Sequence, residues 1–129
     1  MNNNENKVPN EQALPNLGPH VLKLIETKGL QMEEELVSKL SELEKVSMEG
    51  SSDNGLVTVT INGNHQLLDV AVNRPLADWT NNQIKLCQLI KEAINDGMYK
   101  IDLFIEKEIS LIKYKYIKQV IERSSKLEG

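Results

Sequence analysis

Few segments of this 129-residue chain bring together residue types that could do chemistry. Gly50-Ser-Ser-Asp-Asn-Gly55 has the glycine spacing of a phosphate-binding loop. In such a loop, backbone N–H groups cradle the phosphate and a Lys-Ser/Thr pair follows the second glycine. Here Leu56 and Val57 stand at those two positions and a strand pattern follows, so no helix N-terminus awaits an anion. The segment reads as a turn. Cys87 is the only cysteine, which excludes an internal disulfide and fits a reducing compartment. It falls on an apolar helical band, where a thiol is expected to be inert core. His20 and His65 have no cysteine or paired carboxylate at ligand spacing, so no metal or cofactor is expected. Glu33-Glu34-Glu35 points in several directions around a helix and reads as a solvated face rather than an acid/base pair. Asn95-Asp96, inside a helical pattern, reads as structural hydrogen bonding. No nucleophile has a visible base. The expectation is that the chain is not an enzyme and takes no small-molecule substrate.

The remaining chemistry is cationic. Lys100, Lys107 and Lys118 align within about 20° on a helical wheel, with Lys115 and Lys126 beside them. Lys113, Arg123, Tyr114 and Tyr116 add cationic and aromatic surface at the same end. Lys23, Lys28 and Lys39 are spread along an earlier helix and diluted by glutamates. The net charge is −4, yet residues 113–129 hold five Lys/Arg against two Glu, while residues 19–50 hold four Lys against seven Glu. Lysines so placed can neutralise phosphates. With little Arg or Asn among them they would discriminate poorly between bases. They can equally form a solvated face with i,i+4 pairs such as Asp96 with Lys100. The residues alone leave both readings open.

The elements that must carry these residues are well marked. Val57, Val59 and Ile61 alternate with Thr58 and Thr60, the period of a half-buried strand. A Gly63-Asn64 loop then sets Val59 opposite Leu68 and Val57 opposite Val70, and Pro75 follows the second strand. Val46 and Met48 suggest a short first strand, with Gly50 to Gly55 as the loop before the hairpin. A first helix is expected from Pro19, with Leu22, Ile25, Gly29, Met32, Leu36, Leu40 and Leu43 in one narrow stripe. Gly29 weakens that helix by about 1 kcal/mol relative to alanine. Thr80 and Gln83 have the spacing of a capping box, and Trp79 with Ile84 that of a hydrophobic staple. From there helical periodicity runs to Arg123, with Gly97 and Lys113 as the two points where it could break. The expected boundaries are a flexible arm over 1–18, a domain over 19–123 and a disordered tail over 124–129.

Two segments carry a family resemblance. GLVTVTINGNHQLLDVAVNRPL is similar to the "G-L-V-x-V-x-x-N-G" hairpin of the YbaB/EbfC family of small bacterial nucleoid-associated proteins. LIKEAINDGMYKID is similar to that family's helical "L-x-x-A-x-N-D-A-x-x-K/R-I" pattern. The resemblance spans Leu30 to Glu108. It implies an α+β fold: a long N-terminal helix, a three-stranded antiparallel sheet with a hairpin, and a long C-terminal helix. It further implies a two-fold dimer with projecting helical arms that binds double-stranded DNA. The chain departs from the family's pattern after residue 109, where SLIKYKYIKQVIERSSKLEG replaces a short Gly/Pro/Met-rich tail.

The second helix also argues for a homodimer by its own periodicity. Cys87, Ile90, Ile94, Met98, Ile101, Ile105, Ile109, Ile112 and Tyr116 fall in a band about 100° wide. Leu86, Leu89, Ala93, Phe104 and Leu111 fall in a second band read as lying on nearly the opposite side. One band would meet the chain's own sheet, and the second would form the dimer interface. No run approaches the ~20 apolar residues of a membrane span, and the N-terminus has no apolar run of a secretory signal. The expected setting is therefore the cytoplasm, at the nucleoid. The expected partners are double-stranded DNA and a second copy, and the alternative function is a protein-interaction module whose helical arms hold a protein client.

Overall fold

The computed structural model describes residues 18–128, with side chains through Lys126. The arm expected over 1–18 lies outside them except for Gly18. The order of elements is helix α1 (Pro19–Leu43), strands β1 (Ser47–Ser51), β2 (Val57–Asn62) and β3 (Leu67–Val72), a 3-10 turn over Leu76–Trp79, and helix α2 (Gln83–Glu128). The fold is α+β. Two units divide it: residues 35–112, which contain the sheet, and a two-helix unit made of α1 through Glu34 and α2 from Lys113.

Within the sheet unit the strands are antiparallel in the order β1-β2-β3. β2 lies in the middle, and its Val57, Val59 and Ile61 are fully buried between half-buried threonines, as the period-two pattern requires. The hairpin register differs from the expected one by two residues. Val59 faces Val70 and Val57 faces Val72, while the pairing shifts between Thr60–Asp69 and Ile61–Leu67. The loop is longer because Asn62 organises it. Its Oδ1 accepts from the N–H of Asn64 at 3.0 Å and of Gln66 at 2.9 Å, and His65 takes the left-handed φ of 60°. Leu68 is the bulged residue this leaves over. The shift of two keeps Val70 and Val72 on the face of Val57 and Val59, which is why the hydrophobic pattern could not detect it. His65 Nε2, 2.6 Å from Asp102 Oδ1, ties the loop to α2.

Gly50 belongs to β1 rather than to a loop, pairing with Val59. There the sheet and α2 approach so closely that a Cβ on Gly50 would lie 2.3 Å from the Ala93 carbonyl oxygen and from the Gly97 nitrogen. The contact is pinned beside it, where the Ser51 N–H donates to Asp96 Oδ2 at 2.9 Å. Leu89, Ala93 and Ile101 are buried along the same line of α2, four or eight residues apart. This i+4 ridge is the seam of the helix against the sheet.

α2 runs without a break at Gly97 or Lys113 and continues helical through Glu128, past the expected end at Arg123 and through the segment expected to be a disordered tail. Its start differs from expectation. Thr80 Oγ1 donates back to the Ala77 carbonyl at 2.9 Å, so it closes the 3-10 turn instead of capping α2. Trp79 is buried in the core while Ile84 is 89% exposed, so no staple joins them. Cys87, expected in the core, is exposed.

Candidate nucleic-acid interface

The cations expected to meet phosphates divide by what they touch. Lys39 Nζ lies 3.6 Å from Glu42 Oε2 and 3.4 Å from Glu108 Oε1, so it links α1 to α2 inside the sheet unit. Lys100 Nζ lies 2.8 Å from Asp96 Oδ2. That lysine, and then the Ser51 amide, hold the Asp96 carboxyl below its ordinary range against the opposing effect of burial. Lys28 donates to Gln31 Oε1. Lys115 Nζ stands 4.8 Å from the centroid of the Tyr116 ring, a cation–π distance. Lys23, Lys107, Lys113, Lys118, Arg123 and Lys126 are exposed. Among the described residues, none of these six has a carboxylate within ion-pair reach.

The two units differ in charge. The sheet unit carries seven Lys/Arg against twelve Asp/Glu. The described part of the two-helix unit carries seven against five, four of the six unpaired cations standing on its α2 segment. The exposed cations of α2 therefore concentrate toward its C-terminal end, on a helix long enough to hold them at fixed spacing.

The residues assigned to a dimer interface do not form one surface. Leu89 and Ala93 are buried in the chain's own core, with Leu86 packed against it. Phe104 is half-buried, and Leu111 is exposed. The physical reason is geometric: Leu89 and Ile90, like Ala93 and Ile94, are neighbours in sequence. The two bands are flanks of a single ridge, and one core takes residues of both between Leu86 and Ile105. Exposed apolar residues of the sheet unit include Leu67, Leu68 and Val70 of β3, 45%, 55% and 39% exposed, as well as Val37, Leu40, Leu76, Ile84, Tyr99, Leu103 and Leu111. β3 is an edge strand, with one side of its backbone ladder unpaired within the chain. Consecutive Leu67 and Leu68, just ahead of Val70, were the signal for it.

Among the described residues, no group of three or more His, Cys, Asp or Glu is placed to hold a metal ion. Among them, too, no helix is long and apolar enough to cross a membrane.

Comparison with known proteins agrees with this arrangement. The YbaB/EbfC DNA-binding family matches residues 25–113. A nucleoid-associated protein of Syntrophobacter fumaroxidans is 32% identical over 91 residues, covering 70% of this chain and 76% of that protein. A nucleoid-associated protein of Granulibacter bethesdensis is 34% identical over 82 residues, covering 64% of this chain and 76% of its own length. An uncharacterized protein from Helicobacter pylori shares the fold, with a TM-score of 0.50 at 18% identity over 63% of this chain and 92% of that one. The matched segment holds the hairpin, the Gly50–Gly97 contact and the Asp96 tie, and on it the chain belongs to the YbaB/EbfC DNA-binding family.

Proposed function

We propose that this chain is a non-enzymatic, nucleoid-associated protein that binds double-stranded DNA as a homodimer, by phosphate contacts with low sequence specificity. Family membership and the names of the relatives support the DNA-binding part. The observation that carries the rest is the set of exposed cations without carboxylate partners, Lys107, Lys113, Lys118, Arg123 and Lys126, along the C-terminal half of α2. Lysines already satisfied by Asp or Glu have less to gain from a phosphate, so Lys39 and Lys100 belong to the scaffold in this reading. The sheet unit, Lys107 apart, carries an excess of acid that disfavours the duplex and leaves most of the binding to the two-helix unit.

The dimer in this reading forms through the β3 edge. Exposed Leu67, Leu68 and Val70 beside an unpaired ladder are a costly surface to leave in water. A second copy would cover them and present the cations twice, which suits the two-fold symmetry of a duplex. The test is binding to a labelled random-sequence duplex between about 50 and 200 mM salt, with mass measured in the same buffer. A dimer whose log affinity falls steeply with log salt, at about −0.9 per phosphate contact, is expected. Absence of binding at the lowest salt would overturn the DNA reading.

A further inference from the structure

α1 carries a glycine that nothing within the described chain requires. Gly29 lies mid-helix without a positive φ, and a Cβ built on it meets no atom within 4 Å. Glycine destabilises a helix relative to alanine. Its usual compensations are a left-handed conformation or the close approach of another backbone. Neither is found inside the described molecule, so the second points outward.

Gly29 opens onto an apolar groove of about 290 Å³ in the two-helix unit, walled by Ile25 and Met32 of α1 and by Ile117, Val120 and Ile121 of α2. Ile117 and Ile121 are 57% and 61% exposed there. Lys28 also lines the groove, and Lys113 stands one helical turn before Ile117. Neither lysine has a carboxylate partner among the described residues. Glu26, the acid within the same stretch of α1, lines a different hollow with Leu22 and Lys23. Duplex DNA would find no use for an apolar floor. A second copy of the same surface would set Lys28 and Lys113 against like charges. A helix with apolar anchors and acidic flanks fits both the floor and the rim, and Met32 supplies an adaptable wall.

We infer that this groove docks an amphipathic helix of a protein partner, apolar at i, i+3 or i+4, and i+7 and acidic on its flanks, crossing α1 at Gly29. The missing Cβ lets the two helix backbones approach closely, since interaxial distance is set by the side chains at the crossing. The surface is separate from the lysines assigned to phosphates, except for Lys28 and Lys113 at its edge.

The test uses the full chain and a fluorescent synthetic helix with leucines at those spacings and glutamate elsewhere; a second peptide has lysine in place of the glutamates. By anisotropy, the acidic peptide should bind and the basic one should bind at least about ten-fold more weakly. Gly29→Trp fills the groove from a position whose Cβ meets no atom within 4 Å, and should weaken the acidic peptide by about ten-fold or more, while leaving circular dichroism and duplex affinity unchanged. Ile117→Glu, at an exposed position, should give the same loss. Equal affinity of wild type and both variants, or equal affinity for the two peptides, would overturn the proposal. So would a change of mass in Gly29→Trp, which would assign the groove to a second copy. Binding seen only after deletion of residues 1–17 would assign it to the chain's own N-terminus and overturn it equally.

Discussion

At the residue scale, two glycines with the same side chain have opposite meanings. Gly50 is held where β1 and α2 nearly touch, and any Cβ would have to displace backbone atoms of Ala93 and Gly97. Gly50→Ala should therefore destabilise the protein by about 1–3 kcal/mol or more through overpacking, read as a lower midpoint in urea. Gly29→Ala, with open space above it, should stabilise by about 1 kcal/mol through helix propensity. Asp96 makes the neighbouring prediction. Its carboxyl is held below its ordinary value by Lys100 and by the Ser51 amide, so the charged form is favoured in the folded state. That stability is present above the ordinary carboxylate range near pH 3.9 and is lost as pH falls through the lowered folded value. Asp96→Asn should be less stable than wild type at pH 7, and the difference should shrink on acidification. An undiminished difference at about pH 2–3 would exclude this origin. Asp96 was legible as a structural hydrogen-bonding residue. Gly50 was not legible as a strand residue, because a five-residue strand carrying Gly and Ser has almost no pattern to read.

At the scale of elements, α2 combines a core ridge with a cationic end. Helical periodicity marked it as far as Arg123, but neither its unbroken run to Glu128 nor its start was legible. Thr80 and Gln83 satisfy a capping-box spacing that the 3-10 turn pre-empts, since Thr80 Oγ1 is already committed to the Ala77 carbonyl. Local motifs compete for the same hydroxyl, and only the path of the chain decides between them. The cationic end makes a quantitative prediction. Replacing Lys113, Lys118 and Arg123 by Glu should reduce the salt slope of duplex binding by roughly 0.9 for each phosphate that is no longer neutralised, with helical content unchanged. An unchanged slope would move the phosphate-binding surface elsewhere on the chain. Lys100→Gln, by contrast, should act on stability through Asp96 and leave the slope nearly unaltered.

For the whole molecule, the proposed dimer puts assembly on β3. Val70→Asp places a charge on the exposed apolar edge and spares the fully buried β2 residues. If the edge joins two copies, the variant should sediment as a folded monomer. It should also bind DNA more weakly than the dimer at equal chain concentration, because the two sets of cations no longer engage the duplex together. A Val70→Asp dimer of normal affinity would place the interface elsewhere.

The sequence by itself determined the two hairpin strands and both helices, since period two and period 3.6 are local properties that survive without knowledge of neighbours, and its two motif segments carried the resemblance to the family and with it the α+β class. It also located the cations. Tertiary structure alone decided that Lys39 is taken by Glu108, because that pair joins residues of different elements, whereas the i,i+4 pair of Lys100 with Asp96 was legible in the spacing. It likewise decided that Leu89 and Ala93 face the chain's own sheet, since a helical wheel gives angles around an axis but not what stands opposite them. Finally, it decided the hairpin register, because a shift of two residues leaves Val70 and Val72 on their expected face and only the Asn62 loop geometry distinguishes the two pairings.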